Sequence, residues 1–258
     1  MSDAASLLVE RRGASLWLTL NRPERRNAFD RATRRQLAEA CAEADCDAAV
    51  SVIVLTGAGD AFCAGTDLKE PPPNDPPHPL ADSTEPIAAP IERLTKPVIA
   101  SVNGPAAGGG LEIALAADLR VCSTTATFAL PEVRVGSLPG SGGTQRLLSH
   151  VAPAVAWKML LTGEAIDASE ALRIGLVSDV LEPAELNTFT EGLAQRIAAN
   201  APLSLRAAKL AGRAVHEQRL ATGLTFERML WALLATTQDR AEGRAAFRER
   251  RKPKYRGR

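Results

Sequence analysis

The 258-residue sequence is poor in the residues that build metal centres, disulfide frameworks and hydrolase triads. None of its four cysteines, Cys41, Cys46, Cys63 and Cys122, forms a Cys-x-x-Cys pair, which disfavours a zinc or redox motif. Their irregular spacing is typical of reduced thiols in a cytoplasmic protein. The three histidines are scattered and suggest no Ser-His-Asp arrangement. We therefore expect a cytoplasmic protein that holds no metal ion.

Long apolar runs and an excess of one charge are also missing. Lysine plus arginine total 31 against 30 for aspartate plus glutamate, and aromatic residues make up only 4% of the chain. A net charge of +1 gives no electrostatic basis for nucleic-acid binding. No apolar run reaches membrane-spanning length, and the first residues lack the basic start and apolar centre of a signal peptide. We expect neither a nucleic-acid nor a membrane partner.

The tail after residue 244 is the one strongly basic stretch. Two interpretations stay open for it. It is either a frayed, solvated end or a segment that attracts the phosphates of a small ligand or a neighbouring subunit.

Apolar periodicity and turn residues predict strands alternating with helices, followed by a helical last third. The predicted strands are residues 7–11, 16–20, 52–55, 97–102, 127–130 and 176–181. The predicted helices are residues 31–44 (capped by Asp30), 111–119, 143–149, 153–162, 169–174, 183–200, 202–216 and 220–238. The proline-rich segment 71–90 is expected to be an irregular surface loop that forms a wall or gate for a pocket.

The glycine run before Glu112 is the most informative stretch. Three glycines, residues 108–110, stand where a buried strand gives way to a helix. Glycine there lets a ligand approach the backbone, and a helix start leaves N–H groups free. If Gly109 opens the helix, Glu112 lies one turn above it on the same face. The alternative is that Glu112 only complements the helix dipole.

Two further stretches carry weaker signals. Small residues around Thr66 would allow a ligand close to its N–H, although a tight strand-to-helix turn explains them equally well. Glu132 follows Pro131 after a predicted strand, so its carboxylate is expected to meet that of Glu112 across one pocket. A Pro-Glu helix start is the structural alternative.

These motifs, in this order, make the chain resemble an enoyl-CoA hydratase of the crotonase superfamily over nearly its whole length. The matching segments are residues 20–28, 62–68, 103–112, 131–146, 242–247 and 251–253. The resemblance implies an α/β fold, a crotonase-like spiral of ββα turns with a helical C-terminal region. It places the spiral core at residues 1–195 and a C-terminal helical trimerisation region at residues 196–258.

The resemblance also implies the chemistry. The main-chain N–H groups of Thr66 and Gly109 would form an oxyanion hole for an acyl-CoA thioester, as donors that stabilise an enolate. Glu112 would activate a water molecule and Glu132 would deliver a proton to C2. No cofactor is required, because coenzyme A is part of the substrate. Substrate contacts would come from nine positions: Arg26, Ala28, Ala64, Asp67, Leu68, Lys69, Gly108, Pro131 and Gly140.

The implied activity is hydration of a trans-2-enoyl-CoA to 3-hydroxyacyl-CoA, in fatty acid β-oxidation or related acyl-CoA catabolism. An isomerase, lyase or hydrolase using the same N–H donors is the alternative, and a non-catalytic RNA- or acyl-CoA-binding protein is a distant third. A homotrimer or dimer of trimers is implied. Residues at the subunit contact would be Leu230, Trp231, Leu233 and Leu234, or these four side chains belong to the core of their own chain.

Overall fold

The computed structural model describes residues 5–70, 85–217 and 220–258. The strands are β1 (Leu7–Arg12), β2 (Ser15–Leu20), β3 (Val52–Gly57), β4 (Val98–Val102), β5 (Ala106–Ala107), β6 (Leu119–Ser123), β7 (Thr127–Ala129), β8 (Ile166–Asp167) and β9 (Asp179–Leu181). The helices are α1 (Arg31–Cys46), α2 (Ala89–Arg93), α3 (Gly109–Ala116), α4 (Gly143–His150), α5 (Pro153–Thr162), α6 (Ala168–Arg173), α7 (Pro183–Ala198), α8 (Pro202–Glu217), α9 (Leu220–Ala235) and α10 (Gln238–Glu249). Within these ranges, no helix is both long enough and apolar enough to cross a bilayer.

Six strands form the main sheet, in the order β1-β2-β3-β4-β6-β9. The β1–β2 hairpin is antiparallel and every other pairing is parallel. A second sheet has the order β5-β7-β8. The predicted hairpin and the buried parallel strands at residues 52–55 and 97–102 are confirmed.

Strand β3 explains why the sheet is covered on both faces. Ile53 and Leu55 point into the larger core, whereas Val52 and Val54 point into a smaller cluster with Trp17. Alternate residues of a strand face opposite sides of the sheet, so a continuous apolar run requires apolar partners on both sides.

Helix α1 begins where the sequence predicts. The Asp30 side chain accepts a hydrogen bond from the Thr33 amide at 2.7 Å, which satisfies one of the free N–H groups of the first turn. Leu37, Ala40 and Cys41 are buried on one face, as their helical spacing predicts.

The prediction of a helix over residues 111–119 was wrong at the C-terminal end. Helix α3 ends at Ala116, and Leu119 already belongs to β6. Asp118 starts the strand pairing, because its amide donates to the Val98 carbonyl at 3.0 Å and its carboxylate accepts from the Val98 amide at 2.8 Å. Periodicity cannot separate a buried helix from a buried strand in an apolar run, so only this pairing sets the boundary.

Two other boundaries also differ. The strand predicted from residue 176 begins at Asp179, because the Leu176 amide instead closes α6 on the Ala171 carbonyl at 2.8 Å. The helix predicted over residues 220–238 stops at Ala235. Thr237 then caps a separate helix, α10, by accepting a hydrogen bond from an amide of its first turn.

The segment 71–90 lies mostly outside the described residues. Its last two residues enter α2, so that end is helical rather than irregular. The chain terminus is held against α10, because the Arg256 and Gly257 amides each donate to the Asp239 carboxylate at 2.7 Å. These bonds contradict the interpretation of the tail as a frayed end.

Candidate active site

An extended strip at residues 63–66 lies between two other backbone segments. On one side, Ala64 donates to the Arg26 carbonyl at 2.9 Å and Gly65 accepts from Phe29 at 2.7 Å. On the other side, Cys63 accepts from the Ala107 amide at 2.9 Å. The strip therefore joins the early loop before α1 to the start of α3.

The amides of Thr66 and Gly109 are neighbours at this junction. A methyl group on Gly65, which has φ +90°, would lie 3.0 Å from the Gly109 nitrogen, so the two main chains are in close contact. Among the described residues, neither amide donates a hydrogen bond. The Gly109 amide is free because it belongs to the first turn of α3. Two neighbouring donors are therefore left without an acceptor among the described residues.

Close backbone packing positions α3 for this arrangement. A methyl group on Gly110 would lie 2.1 Å from the Cys63 carbonyl oxygen, a distance that no side chain tolerates. Glycine is therefore required where the helix crosses the strip. All eight residues of α3 are buried, which fixes the direction of its first turn.

Glu112 is held by main-chain amides from another helix start. Its Oε1 accepts hydrogen bonds from the Ser141 amide at 2.6 Å and from the Gly143 amide at 2.9 Å. Its Oε2 receives no hydrogen bond from the described residues. Glu112 thus complements the dipole at the N-terminus of α4, in addition to that of its own helix, α3. One of its oxygens is fixed and the other stays available.

Glu132 is held differently. It starts a short 3₁₀ helix, Pro131–Val135, as the structural alternative predicts. Its Oε2 is buried and has no hydrogen-bond partner in the described part of the chain. Burial, with a smaller contribution from the charge of Glu112, raises the pKa of Glu132 above its ordinary value. A methyl group on Gly108 would lie 3.1 Å from its Oε1, so the carboxylate is beside the entry to α3.

The two carboxyl groups and two amides can divide an acid–base reaction between them. A carboxylate anchored by amides keeps a fixed orientation, whereas a buried, unpartnered carboxyl group binds a proton more readily. Free N–H groups beside them are suited to an oxygen on which negative charge develops. The structure therefore brings Glu112, Glu132, Thr66 and Gly109 together around the start of α3.

The loop after Thr66 carries three of the predicted substrate contacts. The Asp67 carboxylate lies 3.1 Å from the Arg22 guanidinium and accepts from the Lys69 amide at 3.0 Å. The Lys69 amide, together with Arg22, lowers the pKa of Asp67. Asp67 thus shapes the loop rather than presenting a free carboxylate. Leu68 is 80% exposed, and the Lys69 side chain is also exposed.

The other predicted contacts are dispersed. Arg26 and Ala64 are exposed and joined by a main-chain hydrogen bond, while Ala28 is buried and its carbonyl accepts from Arg22 at 2.6 Å. Pro131 is half-buried, and Gly140 is exposed in the loop before α4.

Sequence reasoning missed the groups that anchor Glu112 and an arginine that contacts Thr66. The amides of Ser141 and Gly143 belong to a glycine-rich loop that opens a helix, and that pattern is itself a signal for anion binding. Arg34 donates to the Thr66 hydroxyl at 3.0 Å, a contact between segments that no local pattern reveals.

Comparison with solved structures supports the same architecture. The crystal structure of an enoyl-CoA hydratase from Mycobacterium tuberculosis H37Rv superposes with a TM-score of 0.90 at 37% sequence identity. The match covers 99% of this chain and 100% of that one. The crotonase-like fold expected from the sequence is confirmed.

Curated relatives match over nearly the full length as well. The chain is 48% identical to (E)-benzylidenesuccinyl-CoA hydratase of Thauera aromatica, over 93% of this chain and 95% of that protein. It is 44% identical to 2,3-dehydroadipyl-CoA hydratase of Escherichia coli K12, over 98% of this chain and 100% of that protein. The family model for enoyl-CoA hydratase/isomerase matches residues 10–258. The chain therefore belongs to the enoyl-CoA hydratase/isomerase family.

Proposed function

We propose that this protein is an enoyl-CoA hydratase, which adds water across the 2,3 double bond of a trans-2-enoyl-CoA to give a 3-hydroxyacyl-CoA. One observation carries the proposal. Two glutamates stand in unlike environments, one anchored by amides and one with a buried oxygen that has no partner among the described residues. Beside them are two main-chain N–H groups that donate to none of those residues. Fatty acid β-oxidation or related acyl-CoA catabolism is the setting in which such a reaction is used.

The N–H groups of Thr66 and Gly109 bind the thioester oxygen in this scheme. Negative charge moves onto that oxygen when water attacks C3, so fixed donors stabilise the enolate more than the ground state. Each donor lowers the barrier by roughly 3–4 kcal/mol on the scale of other oxyanion holes.

The glutamates move the protons. Glu112 accepts a proton from the attacking water through its available Oε2, since its Oε1 is occupied by amides. Glu132 delivers a proton to C2, a role that suits a carboxyl group whose pKa is raised by burial. The water oxygen forms the bond to C3, and the electron pair of the double bond returns from the enolate to C2 as it is protonated.

A trimeric assembly, formed through the C-terminal helical region at residues 196–258, is the second part of this proposal. Met229 and Leu233 of α9 are 61% and 66% exposed, and Trp231 is 49% exposed. Exposed apolar side chains of this size are suited to a subunit contact. Light scattering after size exclusion measures the mass, and Leu233→Glu is expected to lower it. A wild-type mass equal to that of a single chain contradicts this part of the proposal.

Loss of the conjugated-thioester absorbance of crotonyl-CoA tests the hydratase activity. The expected product is 3-hydroxybutyryl-CoA, identified by mass. Binding of crotonyl-CoA without hydration, together with conversion of a 3-enoyl-CoA to its 2-enoyl isomer, would replace hydratase by isomerase.

A further inference from the structure

Arg34 brings a positive charge to the candidate active site. It lies in the first turns of α1 and is half-buried, and its Nη2 donates to the Thr66 hydroxyl at 3.0 Å. Thr66 also carries one of the two free amides. The guanidinium therefore stands next to the place where the thioester oxygen is held under the proposed function.

This guanidinium has no ionic partner within the described residues. Nearby arginines do: Arg22 lies 3.1 Å from the Asp67 carboxylate, and Arg35 lies 3.8 Å from that of Glu39. Burial lowers the pKa of the Arg34 side chain, while the charge of Glu70 raises it. Glu70, however, is held by Arg31, whose amide donates to it at 3.2 Å.

An arginine fork that is half-buried and has no carboxylate partner among the described residues retains donors for a ligand. Arginine presents five N–H donors in a planar arrangement that matches a carboxylate in bidentate fashion. The Arg34 guanidinium forms one hydrogen bond, to Thr66, in the described part of the chain. The remaining donors suit an anion that arrives with the substrate.

The position of the guanidinium distinguishes the acyl end from the nucleotide end of the substrate. Its 3.0 Å contact with the Thr66 hydroxyl places it beside the thioester end of the proposed site. The phosphates of coenzyme A are separated from the thioester by the long pantetheine arm, so they cannot occupy the same position.

We propose that Arg34 binds a carboxylate on the acyl group, so that the preferred substrate is an enoyl-CoA derived from a dicarboxylic acid. This inference rests on the proposed function for the placement of the acyl group. A substrate carboxylate would otherwise be repelled by Glu112 and Glu132, and Arg34 offsets that repulsion. A neutral acyl chain leaves the half-buried guanidinium without a carboxylate partner among the described residues, which is less favourable than pairing it.

Binding of two saturated thioesters that differ only in the terminal group tests this assignment. Adipyl-CoA carries a carboxylate where hexanoyl-CoA carries a methyl group, and calorimetry gives the dissociation constant of each. We expect wild type to bind adipyl-CoA more tightly by roughly 10- to 100-fold, the range for a charged hydrogen bond. Arg34→Met is expected to abolish this ratio, and Arg34→Gln provides a second variant should the first fail to fold.

Arg35→Met is the matched control, because the Arg35 side chain is 71% exposed and pairs with Glu39 one turn along the same helix. It is expected to keep the wild-type ratio. Equal binding of the two thioesters by wild type overturns the proposal. The proposal is also overturned if Arg34→Met loses the same affinity for both thioesters, since Arg34 would then only position Thr66.

Hydration of 2,3-dehydroadipyl-CoA and hex-2-enoyl-CoA provides the second readout, with the same preference expected in kcat/KM. The two proposals fail separately. If neither thioester is hydrated while the adipyl-CoA preference depends on Arg34, the hydratase assignment falls and the carboxylate site stands. If both are hydrated at equal rates and bound equally, the hydratase assignment stands and the carboxylate site falls.

Discussion

The carboxylate of Glu112 lies close enough to Glu132 for its charge to raise the pKa of that second glutamate. The two groups are nevertheless held in unlike ways. Glu112 accepts two main-chain hydrogen bonds, and Glu132 has a buried oxygen without a partner in the described residues. This difference gives each group a distinct chemical role and makes several consequences measurable.

Removing either acidic group is expected to slow hydration strongly while leaving acyl-CoA binding nearly intact. Glu112→Gln and Glu132→Gln keep the shape of the side chain but cannot exchange the proton, so kcat falls by roughly 10²- to 10⁴-fold. Crotonyl-CoA turnover and binding of butyryl-CoA give the two measurements. Glu164→Gln, at an exposed residue, is the control and is expected to retain full activity. Comparable loss of affinity in the two active-site variants contradicts the catalytic assignment.

Glu132→Gln is also expected to stabilise the fold at neutral pH. Because folding raises the pKa of Glu132 above 4.5, the folded state binds the proton more tightly than the unfolded state. The wild type therefore loses stability as the pH rises from 4.5 through the raised pKa. The amide avoids this loss, and we expect a gain of about 1 kcal/mol at pH 7.

Chemical unfolding of both proteins at several pH values measures that gain. The difference in free energy of unfolding is expected to shrink as the pH approaches 4.5 and to be constant well above the raised pKa. A variant that is less stable than wild type at pH 7 would show that Glu132 has a partner in the native protein.

Gly65→Ala is expected to disturb the proposed oxyanion hole. The new methyl group would lie 2.9 Å from the Ala107 oxygen and 3.0 Å from the Gly109 nitrogen, at a φ of +90°. Displacement of the two amides would lower kcat by roughly 10²- to 10³-fold, with a smaller effect on KM. Gly13→Ala is the control, since Gly13 also has positive φ but no atom within 4 Å of the added methyl group. It is expected to lose stability without losing kcat.

Lys209 is expected to make stability depend on pH in the alkaline range. Its ammonium lies 2.7 Å from the Asp118 carboxylate and donates to the Lys96 carbonyl at 2.6 Å. Burial lowers the pKa of Lys209 to about 8, from 10.5, although the Asp118 charge opposes that change. Between these two pKa values the unfolded state binds more protons, so stability rises with pH.

The slope contributed by this group approaches about 1.4 kcal/mol per pH unit within that window. Lys209→Met is expected to remove the slope, measured by chemical unfolding between pH 8 and pH 10. Lys158→Met, at an exposed lysine, should leave the slope unchanged. An identical pH profile for wild type and Lys209→Met contradicts burial of the ammonium.

Local patterns predicted the elements whose stability depends on nearby residues. The continuous apolar run of β3 and β4 requires cover on both faces, and Asp30 followed by Thr33 specifies the start of α1. Predicted helix and strand boundaries were wrong where hydrogen bonding to a residue far away in the sequence sets the end of the element. Asp118 ends α3 by pairing with Val98, a contact across 20 residues of chain.

The succession of strands and helices, the glycines where the strip meets α3 and the two candidate acids could all be predicted from local residue patterns. The environment of each charge could not, because it depends on how distant segments pack together. That packing gave Glu112 two amides from the start of α4 and brought Arg34 to Thr66. It also buried one oxygen of Glu132 without a partner from residues 5–70, 85–217 or 220–258. Burial and hydrogen bonding of an ionisable group depend on segments far apart in the chain, and periodicity and capping report only on neighbouring residues.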